Sequence, residues 1–246
     1  MNFSIPDDLL DLRDAVREFV YHEIIPSEPR IEEENAVPDE LLEKMKEMGL
    51  FGLTIPEEYG GLGIGPIGYS LITEEFGKAH SAIRALIGIN NGIGSRALVL
   101  SGSNEQREEY LPKLASGDLI AAFAVSEPGA GSDVSGIQTN ARVDGDSYLL
   151  NGSKHFITNG PIADIFTVLA VTDKTLGSRG GMSTFLVKKG TPGFSVGRIQ
   201  DTMGSRACLR SELFFEDCSI PVQNRIGEEG KGFGTIMSCL AEGRIT

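Results

Sequence analysis

Tryptophan is absent from these 246 residues, and histidine and cysteine occur three times each. Each scarcity closes off some chemistry. Cys208, Cys218 and Cys239 are widely spaced with no C-x-x-C, so neither a disulfide framework nor a zinc site is expected. His22, His80 and His155 stand outside any H-x-x-x-H or H-E-x-x-H spacing and read as structural or surface histidines rather than metal ligands. Basic residues are in deficit too: 22 Lys and Arg against 35 Asp and Glu give a formal net charge of −13. A nucleic-acid binder normally needs a basic face to neutralise phosphates, which argues against that class. One phosphate-bearing cofactor remains admissible, because local N–H groups and a few arginines can hold it.

Long apolar runs are missing as well. The most apolar stretch, Ala82 to Leu100, carries Arg84, Asn90, Asn91 and Arg96 and reads as a buried helix, not a membrane span. No basic start leads into an apolar h-region, so no signal peptide is expected. No G-x-G-x-x-G follows a strand, Gly230-Lys231-Gly232 is not followed by Ser or Thr, and no G-x-S-x-G occurs. These gaps argue against a Rossmann site, a P-loop and a serine-hydrolase elbow. Glu74-Glu75 and Glu228-Glu229 read as solvated faces.

What is present changes character once. Leu9, Leu12, Val16, Phe19 and Val20 form a helical stripe over 7–25, which Pro26 is expected to close, Pro29 and Glu32 to Glu34 making a solvated connection. Further helices are expected over 39–49, 67–78 and 81–100, and a capping box at Ser103-Asn104-Glu105-Gln106 opens one reaching about Ser116. After Gly117, short apolar or alternating runs recur at 119–125, 136–143, 147–151, 154–158, 164–172, 183–188, 193–199 and 209–217. Such spacing, with turn signals at Asp144-Gly145-Asp146 and Asn159-Gly160-Pro161, suggests a compact β-barrel or sandwich. Helical spacing returns from Gly230, with Phe233, Ile236, Met237 and Leu240 aligned. The expectation is an α+β chain: a helical domain over 1–117, a small β-barrel domain over 118–229, and at 230–246 the start of a truncated C-terminal helical domain.

The most informative stretch is AFAVSEPGAGSDVSG at 122–136, with NGSKHFITNG at 151–160 as its companion. An apolar strand ends at Val125 and becomes a small-residue loop. Gly129 and Gly131 allow close approach of backbone N–H groups, and Ser126 and Ser132 add hydroxyls, a combination suited to an anionic or heteroatom-rich ligand. The plain alternative is a loop that needs its glycines only to turn.

The order of these segments resembles the acyl-CoA dehydrogenase family. Ala124 to Asp133 looks like that family's first signature and NGSKHFITNG like its second flavin-contact segment. YGGLG at 59–63, the Gly204-Ser205-Arg206 step, Phe214 to Asp217, Ile220-Pro221 and Gly227 to Gly232 are similar to other family stretches in the same order, so that the likeness covers 7–246. The resemblance implies FAD, lined by Phe123, Val125, Ser126, Gly131, Ser132, Phe156, Ile157 and Thr158. Ser126 would meet the pyrimidine side of the ring, Thr158 would approach flavin N5, and Ser132 would serve the pyrophosphate or the substrate's pantetheine arm. Phe156 stands where many members carry tryptophan and lacks the indole N–H. Ser132, Ser178, Ala241 and Arg244 are the implied acyl-CoA contacts, and the 60–68 loop with the 81–100 helix is expected to help set chain-length preference.

The implied reaction is α,β-desaturation of an acyl-CoA thioester: a carboxylate takes the α-proton while hydride leaves the β-carbon for FAD N5. In most members the base is a glutamate that would lie beyond Thr246; in some it falls at the position of Gly243, which has no side chain. Glu242 is one residue away, and a helix turns about 100° per residue, so Glu242 reads as surface charge rather than the base. No catalytic residue is therefore assigned to this chain, which alone is expected to bind FAD weakly or not at all and to lack desaturase activity. The resemblance further implies an electron-transfer flavoprotein as electron acceptor and a homo-oligomer for the complete chain. Its location would be cytoplasmic, or the mitochondrial matrix had a transit peptide been removed, the former preferred. Alternatives are an acyl-CoA oxidase or flavin monooxygenase on the same fold, or a non-catalytic flavin- or CoA-binding module.

Overall fold

The apolar stripes of the first half fold into helices as expected, with one difference at the start. The computed structural model describes residues 4–244. Helix α1 (Asp7–Phe19) runs through a π-turn at Val20–Ile24 into α2 (Ile25–Glu34), so neither Pro26 nor Pro29 ends the helix. The π-turn resets the hydrogen-bond frame and places Pro26 in the first turn of α2, where a missing N–H costs little. Helices α3 (Asp39–Glu47) and α4 (Pro66–Phe76) follow. The expected long helix over 81–100 is α5 (Ser81–Ile89), a π-turn at Asn90–Gly94 and α6 (Ser95–Ser101). Gly92 breaks it, with φ −88° and ψ −114°. The capping box forms as read: Ser103 Oγ accepts from Gln106 N–H at 3.2 Å, and the Gln106 side chain accepts from Ser103 N–H at 3.0 Å, opening α7 (Asn104–Ser116). Phe51, Phe76 and Ile83 are fully buried between these helices. Each such side chain contributes about 1.5–3 kcal/mol relative to exposure.

The second half is an eight-stranded sheet. Its strands are β1 (Ala121–Ala124), β2 (Asn140–Asp144), β3 (Ser147–Thr158) and β4 (Ile165–Val171). They continue with β5 (Met182–Lys188), β6 (Phe194–Ile199), β7 (Arg210–Pro221) and β8 (Arg225–Ile226). The pairing order is β6-β7-β3-β2-β4-β5-β8, with β1 parallel to β4. The sheet curls strongly instead of closing through a ladder. Phe194 of β6 and Phe166 of β4, with β7, β3 and β2 between them in the pairing order, meet edge to face at 4.8 Å between ring centroids. The runs at 147–151 and 154–158 are one strand, β3, bulged at two places where its register with β7 shifts.

Burial patterns follow from this arrangement. β3 and β7 alternate between core and solvent, whereas every residue of β4 is buried. The inner face of β4 packs inside the curl and its outer face against the helices, where Thr167 Oγ1 donates to Gly94 O at 3.1 Å. Helix α8 (Gly232–Gly243) then crosses β5 and α6, burying Ile236 and Cys239. Glu242 lies in α8, but its side chain is outside the described residues. No helix among the described residues is long and apolar enough to cross a membrane.

Candidate functional site

Two buried side chains lock the glycine-rich loop onto β3. Lys154, with no solvent exposure, donates from Nζ to Glu127 Oε1 at 2.8 Å and to Val125 O at 3.1 Å. The Glu127 carboxylate also accepts the N–H groups of Gln138 at 2.7 Å and Thr139 at 2.9 Å. Burial raises the Glu127 pKa, but the Lys154 charge and these hydrogen bonds outweigh it and hold the carboxyl below its usual range. Burial pushes the Lys154 ammonium down to about 8 against the opposing pull of Glu127. Backbone pairing adds a third tie, His155 N–H donating to Ser126 O at 2.9 Å.

Just past this lock the chain holds an uncommon conformation. The register of β3 against β7 shifts between Lys154 and Ile157, and inside that bulge Phe156 sits at φ 58°. A left-handed backbone is unfavourable for an aromatic residue, and a bulge re-aims the side chain it carries. Here it turns Phe156 outward, 62% exposed, with His155 packed against it edge to face at 4.2 Å.

A cleft of about 380 Å³ opens in front of this ring. All eight positions expected to line FAD border it: Phe123, Val125, Ser126, Gly131 and Ser132 from one motif, Phe156, Ile157 and Thr158 from the other. Arg244 and Leu240 close one side from the α8 end, and Ile89 and Ile93 another. Of the other expected substrate contacts, Ala241 is exposed on α8 and Ser178 is half-buried in the loop before β5; neither lines the cleft.

The residues present fit a flat, heteroatom-rich group such as FAD. Ser126, Ser132 and Thr158 border the cleft, and their hydroxyls make no hydrogen bond to the described residues. Neither Gly129 nor Gly131 has a positive φ, and a Cβ at either would meet no atom of the chain within 4 Å. The fold itself therefore demands glycine at neither position, and the reading of this loop as glycines needed only to turn loses its support.

Two further cavities adjoin the cleft around the π-turn at 90–94. One, of about 450 Å³, is bordered by the 63–66 loop, Tyr69, Gly92, Arg96 and Gly243. The other, of about 250 Å³, shares Ile89, Ile93 and Thr158 with the cleft, and Tyr69, Gly92 and Gly243 with the larger cavity. Asn90 and Asn91 fix the junction. Asn90 Nδ2 donates to Phe51 O and Leu114 O, and its Oδ1 accepts Ala121 N–H at 2.9 Å. Asn91 Nδ2 donates to Leu50 O at 2.7 Å and its Oδ1 accepts Thr54 N–H.

Sequence reading missed Glu127 and Lys154 as a pair, along with the roles of the two asparagines. The signal available for the first was a lysine at an inward position of an alternating strand, three residues after Asn151. For the second it was two adjacent amides inside an apolar helix.

A helical half is paired with a curled sheet, and a cleft lies where a glycine-rich strand end meets a bulged strand. Residues 6–118 match the family described as acyl-CoA dehydrogenase, N-terminal domain, and residues 122–218 its middle domain. The chain belongs to the acyl-CoA dehydrogenase family. A short-chain-specific acyl-CoA dehydrogenase of Clostridium acetobutylicum is 39% identical over 245 residues, covering 100% of this chain and 64% of its own length. The butyryl-CoA dehydrogenase structure from Megasphaera elsdenii superposes with a TM-score of 0.93 at 35% identity, covering 99% of this chain and 64% of that one. An acyl-CoA dehydrogenase from Bacillus anthracis complexed with FAD gives a TM-score of 0.89 at 35% identity, over 98% of this chain and 41% of that one. The chain thus spans about 64% of the length of relatives such as the clostridial enzyme.

Proposed function

We propose that this chain forms the FAD-holding part of an enzyme that dehydrogenates acyl-CoA thioesters between the α and β carbons, passing electrons to an electron-transfer flavoprotein. One observation carries the reading: a glycine that the fold does not need, Gly131, stands beside three free hydroxyls and an outward-turned aromatic ring, all on one cleft. When bound, FAD supplies the hydride-accepting chemistry.

The chain's own residues would position the reactants. Phe156 and Ile157 offer an apolar wall to a ring system, while Ser126 and Thr158 can donate hydrogen bonds to its heteroatoms. Gly131 and Ser132 lie at the more exposed end, suited to phosphate. The Glu127–Lys154 lock keeps both motifs at fixed separation, which is what preorganised binding needs. None of the described residues lining the cleft is Asp or Glu. The α-proton therefore passes, in this proposal, to a carboxylate from outside the described lining. The acyl chain would extend from beside Thr158 into the cavities around Gly92.

The test is titration with FAD of the enzyme carrying this chain, followed by flavin fluorescence. Gly131→Val should weaken binding at least tenfold and leave thermal unfolding unchanged. Equal affinity in both proteins would overturn the site. For the reaction, an enzyme carrying this chain should reduce electron-transfer flavoprotein when given acyl-CoA; turnover with oxygen alone would make it an oxidase.

A further inference from the structure

A glutamate on β7 stands at the centre of two bulges. Lys154 pairs with Leu213 and Ile157 with Ser211, so two residues of β3, His155 and Phe156, face the single residue Glu212. On its other side Val196 pairs with Leu213 and Ile199 with Ser211, so Gly197 and Arg198 of β6 face Glu212 too. An inserted residue breaks the in-and-out alternation of a strand. Lys154 and Ile157 are therefore both buried, and His155 and Phe156 between them are turned outward, their rings at an interplanar angle of 84°. The imidazole is held at both nitrogens. His155 Nδ1 lies 3.3 Å from Glu212 Oε1, and Nε2 lies 3.1 Å from Gln200 Nε2. An amide nitrogen can only donate, so Nε2 accepts and the ring proton sits on Nδ1, toward the carboxylate. Gln200 is itself fixed, its N–H donating to Arg210 O at 2.9 Å.

Of these residues only Phe156 borders the cleft. Its ring is mostly exposed and stands on a left-handed backbone, so its own packing restrains it little. An exposed side chain changes rotamer within picoseconds to nanoseconds unless a neighbour holds it. His155 is that neighbour, through the edge-to-face contact. Resting on the reading of Phe156 as a wall of the flavin site, we infer that His155 and Glu212 are positioning residues. Glu212 orients the imidazole, and the imidazole fixes the plane of the Phe156 ring in advance of FAD. Order supplied beforehand lowers the cost of binding, and one edge-to-face pair is worth about two- to tenfold in affinity. The effect does not run through the backbone. His155 N–H donates to Ser126 O whatever side chain stands at 155, so the two cleft motifs stay joined when the imidazole is removed.

The test titrates FAD into the enzyme carrying this chain and records its dissociation constant, the quenching of flavin fluorescence and the visible absorption band of the bound flavin. His155→Ala and Glu212→Ala each weaken FAD about two- to tenfold and change the quenching and the band in the same direction. Glu212→Gln keeps an acceptor for Nδ1–H and restores most of the affinity and the spectrum. In a Phe156→Gly background, His155→Ala has no further effect, because the route from the imidazole to the flavin is gone. Equal losses from His155→Ala in both backgrounds overturn the inference, since the imidazole would then act without the ring. So do unchanged affinity and spectra in His155→Ala and Glu212→Ala while Phe156→Gly still weakens FAD, a result that leaves the flavin reading standing. If Phe156→Gly leaves FAD binding unaltered, the reading of Phe156 as a flavin wall fails, and this inference with it.

Discussion

Lys154 Nζ lies 2.8 Å from Glu127 Oε1, with the lysine side chain wholly buried and the glutamate 7% exposed. Because each residue belongs to a different cleft-forming motif, this pair sets the width of the cleft. Removing one partner leaves the other as an uncompensated buried charge, which typically costs about 3–5 kcal/mol, whereas removing both is far cheaper. Lys154→Met should therefore destabilise the chain by about that amount. The double variant Lys154→Met/Glu127→Gln should recover much of the loss. Urea denaturation of the three proteins checks it, and a double variant no better than the single one would contradict the charge argument.

The same pair predicts a pH dependence with two limbs. Burial raises Glu127, but Lys154 and the hydrogen-bond donors outweigh it, so its folded-state value is lowered from 4.5. The unfolded chain then takes up this proton first, and the stabilisation is present above about 4.5 and lost as pH falls through the lowered value. Lys154 acts on the alkaline side. Its folded value of about 8 lies below the ordinary 10.5, so the unfolded chain holds that proton more tightly and this group's contribution makes stability rise between those values. Unfolding free energies from pH 3 to 10, compared between the unaltered chain and Glu127→Gln, should show a shallower acid limb in the variant.

Phe156 shows strain and exposure together. Its φ of 58° suits glycine, and at 62% exposure little burial is lost by truncation. Phe156→Gly should leave unfolding stability unchanged or raise it by about 1 kcal/mol through relief of the left-handed backbone. FAD binding should weaken severalfold, because the aromatic wall is gone. Loss of stability with unaltered FAD affinity would reverse the assignment of Phe156 to the ligand.

Asn90 is the hinge pin of the helical half and the sheet. Its side chain serves Phe51 O, Leu114 O and Ala121 N–H; Leu114 O also accepts Gly117 N–H, so Asn90→Leu removes the side-chain partner of Phe51 O and Ala121 N–H. At about 1–3 kcal/mol for each unsatisfied group, a loss of at least about 2 kcal/mol is expected. Hydrogen exchange at Ala121 N–H should accelerate in the variant if this amide anchors β1.

Much of this was legible before any coordinates. Periodicity located the helices, and the Ser103 capping box, a purely local device, was read correctly to its hydrogen-bond partners. The eight cleft positions were readable because loop and strand motifs sit in contiguous sequence. What escaped depended on distant partners. The π-turns at 20–24 and 90–94 leave an apolar stripe almost unchanged, so Pro26 looked like a helix end. Lys154 was not singled out within its motif, since only the fold brings Glu127 to it across 27 residues. The cavity of about 250 Å³ joins Arg84 and Arg210, more than a hundred positions apart, beyond the reach of any motif.

The two amides at 90 and 91 have an implication for how such an enzyme could diversify. Asn90 holds the first strand bordering the cleft, while Asn91 lines the larger cavity and anchors the loop at 50–54. A substitution here that reshaped the cavity would also move the cleft, so the shapes of the two are coupled at this point. Gly88 and the 63–66 loop, by contrast, border one cavity each and carry none of those amide ties. New substrate preferences should therefore be acquired along that outer rim, with the asparagines left alone.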